Sequence, residues 1–169
     1  MGKVIIGVMG PGEAATPEDI ENSYQMGKLI ASKGWVTLSG GRNQGVMEAV
    51  SRGASQGGGL TIGISPSSND KNLSDFIDIP ILTGMGSARN NINVLTAQVV
   101  VVCGMGAGTL SEAALAIKAK KNLIILNWDE ESILFIKKLG GSLIHKAEDP
   151  NSVLSIIEKI LSSWDLEIN

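Results

Sequence analysis

Short apolar runs alternate with amphipathic segments along the whole chain, the pattern of a parallel sheet with helices on both faces. The runs predict strands at about 3–9, 35–39, 60–64, 76–81, 98–103, 122–127 and 142–146. The segments between them predict helices at about 17–33, 44–57, 87–96, 108–120, 130–139 and 150–163. The fold class is therefore α/β, Rossmann-like and doubly wound, with a mainly parallel sheet of about seven strands. The 169 residues suffice to bury a substantial core, so the expectation is one domain spanning 1–169 with no linker and no internal repeat. "TPED", Thr16 to Asp19, marks a helix start: Thr as N-cap, Pro at the first helical position, acids at the positive end of the dipole. The helix it opens is expected to bury Ile20, Tyr24, Gly27, Ile30 and Ala31. In the helix near 108–120, Leu110, Ala113, Ala114 and Ile117 form the predicted sheet-facing stripe, with Glu112 off it. Ser65 to Asp75 reads as a mobile surface loop near a cleft.

Glycines stand at the carboxyl ends of the predicted strands, where open parallel sheets bind ligands. Gly10 and Gly12 follow the first strand, Gly40 and Gly41 the second, and Gly104, Gly106 and Gly108 the valine strand "VVVVC". "GPGEAA" fits a dinucleotide fingerprint in letters only: the helix begins later, Glu13 sits where a pyrophosphate needs neutral donors, and no acid closes strand two. No P-loop is present. "GMGAGTLSE" has two compatible readings. Thr109 and Glu112 match a capping box, and the same loop would aim backbone N–H groups and a helix dipole at an anion, with Thr109 as an added donor. In "GSARNNIN", Ser87, Arg89 and Asn90 occupy a helix start, and Arg89 opposes the dipole unless an anion or a carboxylate such as Glu112 meets it. Of the three arginines, Arg42 and Arg89 both lie in sheet-end loops, where a planar fork holds phosphate bidentately.

Composition narrows the partners. A net charge of -3 and 4% aromatics supply neither a basic face nor a stacking platform, so nucleic acid is not expected. No apolar run reaches membrane-spanning length, the N-terminus has no signal-peptide pattern, and the single Cys103 forms no internal disulfide, all of which point to the cytoplasm. Cys103 reads as a small buried hydrophobe, and His145 lies away from the glycines; without clustered partners they make neither a metal site nor a dyad. Met9, Met47, Met85 and Met105 lie in or near the glycine loops, where methionine usually serves as adaptable packing and would also suit a flat heteroaromatic ligand.

Taken together, "VIIGVMGPGEA", "LSGGRNQGVMEAV", "IPILTGMGSARNNIN" and "GMGAGTLSEAALAIKAKK" are similar to the molybdenum cofactor carrier proteins, over residues 4 to about 125. The resemblance implies a homo-oligomer, dimer or tetramer, that binds the mature cofactor, protects it and makes it available to molybdoenzymes. It places the phosphate on Gly106, Ala107, Gly108 and Thr109, with Arg89 or Arg42 countering its charge. Gly41, Ser87, Asn90 and Glu112 stand near it, and Gly10, Pro11 and Gly12 border the pterin. The wider superfamily is that of the "Lonely guy" phosphoribohydrolases, signature P-G-G-x-G-T-x-x-E with an upstream R-K. Gly106, Gly108, Thr109, Glu112 and Arg89 match, and Gly40 to Met47 match G-G-x-x-x-G-x-M. Gly104, Met105 and Asn90 depart, toward the carrier pattern. The alternative this implies is nucleoside 5'-monophosphate hydrolysis with Arg89 and Glu112 catalytic; a sensor for another phosphorylated small molecule would use the same rim.

Overall fold

A computed structural model describes residues 2–167. The elements in chain order are β1 (Ile5–Met9), α1 (Pro17–Ser32), β2 (Val36–Ser39), α2 (Gly45–Gln56), β3 (Thr61–Ser65), β4 (Ile79–Leu82), α3 (Arg89–Thr96), β5 (Val99–Cys103), α4 (Ala107–Lys118), β6 (Asn122–Leu126), α5 (Glu130–Gly140), β7 (Ile144–Ala147) and α6 (Pro150–Glu167). Short 3-10 turns at Gly86–Ala88 and Gly141–Leu143 lead into α3 and β7. The seven strands make one sheet in the order β4-β3-β2-β1-β5-β6-β7, every pair parallel. The order reverses between β1 and β5, so the chain winds outward from the middle in both directions.

The valine run explains why β5 is central. All five of its residues are buried, because alternate side chains feed two cores on opposite sides of the sheet. On one side Val99, Val101 and Cys103 join Met26 and Ile30 of α1, Val46 and Val50 of α2, and Val153 and Ile157 of α6. On the other, Val100 and Val102 join Val94 of α3, Ala113 and Ala116 of α4, and Ile133 and Ile136 of α5. Among the described residues no helix is long and apolar enough to cross a membrane.

Two expected stripes are rotated. In α1 the buried positions are Asp19, Ser23, Met26, Gly27 and Ile30, while Ile20 is exposed; Thr16 and Asp19 close a full capping box, and the face behind it turns inward. In α4 the buried face is Thr109, Glu112, Ala113 and Ala116, and Leu110 is exposed. Glu112, expected off the sheet-facing stripe, is therefore inside. Apolar side chains alone mislead here because α4 begins beside a polar cavity, and polar residues take the inward positions of its first turns.

The segment expected to be a mobile loop is held to the neighbouring loop after β2: Arg42 bridges to Leu73, Asn43 N–H donates to the Asn72 carbonyl at 2.9 Å, and Ser74 N–H donates to the Gly41 carbonyl at 2.9 Å. Helices α1 and α2 cross at Gly27 and Gly53, so closely that a Cβ on Gly53 would run into the Tyr24 carbonyl and one on Gly27 into that of Val50. Backbone cannot yield as a side-chain end does, so Gly53→Ala is expected to destabilise the fold by about 3 kcal/mol, the upper range for overpacking. Urea unfolding checks this, with the midpoint lowered and the slope unchanged.

Candidate functional site

The loops that follow β1, β2, β3, β4 and β5 at their carboxyl ends enclose one open cavity of about 530 Å³ over the point where the strand order reverses. Gly10, Pro11 and Gly12 reach it from β1 and Arg42 from β2. Ser87 comes from the 3-10 turn before α3, Arg89 and Asn90 from the start of α3, and Gly106, Ala107, Gly108, Thr109 and Glu112 from the N-cap and first turns of α4. Gly41 does not line it. With a φ of 76° it turns the chain behind the wall, against Gly63 and Leu73, and Gly40 takes its place at the surface. Sequence reasoning missed Gln44 and Pro66 as wall residues, and it weighed Glu13 only as an objection to dinucleotide binding. Met9 and Met47 line the cavity, whereas Met85 and Met105 are exposed outside it.

Arg89 governs the electrostatics. Its residue is only 7% exposed, and its Nη1 stands 3.6 Å from Glu112 Oε1, itself on a residue 5% exposed. Asn93 Nδ2 donates to the same carboxylate oxygen at 2.9 Å and holds it in place. Burial pulls Arg89 below its ordinary pKa, Glu112 pushes it back up, and the nearby Arg42 lowers it again. Burial likewise pushes the Glu112 carboxyl up to about 7, against the opposing effects of Asn93 and Arg89. Near neutral pH the site thus holds a guanidinium beside a carboxyl poised between its two forms. Gly40 makes room for this: a Cβ there would stand 2.7 Å from both terminal guanidinium nitrogens. Asn90 Nδ2 donates to Ser111 Oγ at 2.8 Å, tying α3 to α4 beside the pair.

The start of α4 corrects the capping-box reading. The N-cap is Gly106, no side chain caps the helix, and Glu112 faces Arg89 and Asn93 instead. Thr109 Oγ1 is buried and, among the described residues, has no hydrogen-bond partner; neither does Arg89 Nε. Both donors belong to residues that line the cavity. The glycines divide by role. Gly104 has a φ of 73° and packs on the Asp19 carboxylate, so it serves the backbone. Gly106 at φ -166° is ordinary extended chain, and a Cβ on Gly108 would meet nothing within 4 Å. Neither position is closed to a side chain by its torsion or by crowding from the rest of the protein.

Cys103 lies beneath the site, fully buried, its thiol donating to the Asp19 carbonyl at 3.7 Å, and burial pushes its pKa up to about 12, so it is an inert packing residue. His145 is on β7, where its Nε2 hydrogen-bonds Asn122 Oδ1 at 3.0 Å, away from the cavity.

The profile of the SLOG cluster4 family matches residues 3–154. The molybdenum cofactor binding protein from the phototrophic bacterium Rippkaea orientalis is 55% identical, with a TM-score of 0.94 over 95% of this chain and 99% of that one. The molybdenum cofactor carrier protein of Chlamydomonas reinhardtii is 43% identical, with a TM-score of 0.91 over 95% and 99%. A protein of unassigned function from Archaeoglobus fulgidus is 45% identical over 121 residues, 72% of this chain and 78% of that protein. The chain belongs to the SLOG cluster4 family, and its sequence and fold group it with the molybdenum cofactor carrier proteins.

Proposed function

We propose that this chain binds molybdenum cofactor as cargo, shields it, and hands it to molybdoenzymes, without itself catalysing a reaction. The reading rests on one feature of the cavity: Arg89 Nε and Thr109 Oγ1 are desolvated donors without protein partners, beside a helix start with no side-chain cap. Burying a donor unpaired costs about 1–3 kcal/mol, so an arrangement with two of them fits a ligand that supplies acceptors. A phosphate ester does so, with oxygens for the Ala107 to Thr109 amides, the threonine hydroxyl and Arg89, and with Arg42 adding charge at the rim. Relatives named for binding and carrying molybdenum cofactor, at 55% and 43% identity, support the choice of that phosphate ester over others. The pterin would lie over Met9 and Met47, bordered by Gly10, Pro11 and Gly12. We place the protein in the cytoplasm as a homo-oligomer, dimer or tetramer; exposed Leu95 and Leu110 on the outer face of α3 and α4 suit a subunit contact. A second reading, phosphoribohydrolase, is favoured by Arg89 and Glu112 together, since a carboxyl with a pKa of about 7 is suited to acid–base work.

Three outcomes follow. Arg89→Ala is expected to weaken retention of molybdenum cofactor through anaerobic desalting by about tenfold to a hundredfold, the value of charge-assisted hydrogen bonds, while His145→Ala leaves it unchanged; adenosine monophosphate cleavage assayed in the same tube separates carrier from hydrolase. Thr109→Val removes a hydroxyl unpaired in the free protein, so unfolding stability should hold or rise while cofactor affinity drops by about tenfold. Affinity should also depend on pH. A bound phosphate raises the Glu112 pKa from about 7, so binding takes up a proton, and affinity falls as pH rises through 7 by at most about tenfold per unit. Titrations from pH 6 to 8 should show this decline in the native chain and a flatter profile in Glu112→Gln, the difference between the two cancelling titration of the ligand's own phosphate.

A further inference from the structure

The cavity contains a charge that the phosphate has no use for. Glu13, in the loop between β1 and α1, lines it as an exposed carboxylate. Gln44 Nε2 donates to Glu13 Oε1 at 3.3 Å, while Gln44 Oε1 is buried and has no partner among the described residues. In a pocket made only for an anion, this carboxylate repels the ligand. Its position shows where it acts. Glu13 lies in the loop that leads into α1 and Gln44 is the N-cap of α2, two helices that pack on one face of the sheet, whereas Arg89 and Thr109 belong to α3 and α4 on the other. The cavity straddles the carboxyl edge of the sheet, and the two unpartnered donors, Arg89 Nε and Thr109 Oγ1, belong to one wall while Glu13 stands on the other, in the β1 loop. Between them lie Met9, Pro11 and Met47, apolar and nearly buried.

We infer that Glu13, braced by Gln44, is the specificity-determining residue of this site and reads the N–H-rich edge of a fused heterocycle whose far end carries the phosphate. The inference rests on the proposed phosphate site for its other end. A 2-amino-4-oxopyrimidine edge, common to pterins and guanine, presents a ring N–H and an exocyclic amino N–H side by side, and a carboxylate accepts both in parallel. Gln44 fixes the Glu13 carboxylate from behind, its Nε2 donating to Glu13 Oε1 at 3.3 Å. Adenine places a ring nitrogen lone pair at that edge, and lumazine, with oxygen for the 2-amino group, places a carbonyl there. Either sets lone pair against carboxylate, and a site made to accept hydrogen bonds rejects a ligand lacking the donor far more strongly than an apolar pocket rejects a changed shape. Glu13 thus selects pterins over lumazines and guanine over adenine, while Arg89 and Thr109 hold the phosphate without regard to the ring.

Fluorescence titration of the full chain with the phosphate ester of 6-hydroxymethylpterin and with its lumazine counterpart tests this directly. The native chain is expected to favour the pterin ester by about tenfold or more, and Glu13→Gln to remove that preference by weakening the pterin ester alone. Equal affinities in the native chain, absence of saturable pterin binding, or a preference that survives Glu13→Gln overturns the inference. Retention of molybdenum cofactor by the same preparations separates the two readings. Cofactor kept without ring discrimination sinks the role of Glu13 and leaves the carrier; discrimination that depends on Glu13 without cofactor retention removes the carrier and leaves the role of Glu13.

Discussion

A guanidinium held out of water is the constraint around which this cavity is built. Arg89 is 7% exposed at the start of a helix, where both burial and the dipole disfavour its charge. Its protein counterion, Glu112, is 3.6 Å away and buried as well, so the two share too little water and too long a contact for either to be fully compensated. The surroundings yield to it. Gly40 gives up a side chain to make room, Asn93 fixes the carboxylate, Asn90 and Ser111 lock the two helices at a distance that keeps the pair in register, and Nε is left over, facing no protein acceptor among the described residues. Such a pair contributes little to stability as a unit but is costly to break on one side. A molecule with a fixed negative charge relieves it more completely than any rearrangement of the chain.

The fold makes that arrangement stable by putting its parts on stiff supports. β1 and β5 are the middle strands, buried on both faces, and the loops leaving them in opposite winding directions must part at their carboxyl ends. The gap is therefore a consequence of topology. Each wall is pinned: Thr16 and Asp19 cap α1, Asn127 Nδ2 donates to Asp19 Oδ1 at 2.6 Å, and Trp128 Nε1 donates to the Gly104 carbonyl at 2.7 Å. Polar ends of helices from both layers meet over the gap, which is how Glu13 and Gln44 come to share one cavity with Arg89 and Thr109.

Much of this was legible in the chain. Strand and helix order followed from the alternation of apolar runs with amphipathic segments, and glycines after β1, β2 and β5 located the rim, because the winding rule fixes where such turns gather. Three things were hidden. The inward faces of α1 and α4 could not be read from apolar stripes, since Asp19, Thr109 and Glu112 occupy buried positions for electrostatic and capping reasons. Thr109 and Glu112 fit a capping box in letters, yet the helix starts at Ala107, which puts Thr109 inside the first turn and leaves Glu112 free for Arg89; a spacing motif does not say which residue is the N-cap. Gln44 and Glu13 carried no local signal at all, because their meeting depends on the side-by-side placement of α1 and α2.

The central claim is that the two orphaned donors hold a phosphate, and a crystal structure of the protein loaded anaerobically with molybdenum cofactor measures this most directly. The account predicts phosphate oxygens within hydrogen-bonding distance of Thr109 Oγ1, Arg89 Nε and the α4 amides, with the ring over Met9 and Met47. A phosphate seated anywhere else, with Thr109 and Arg89 as unpartnered as in the free chain, would contradict it.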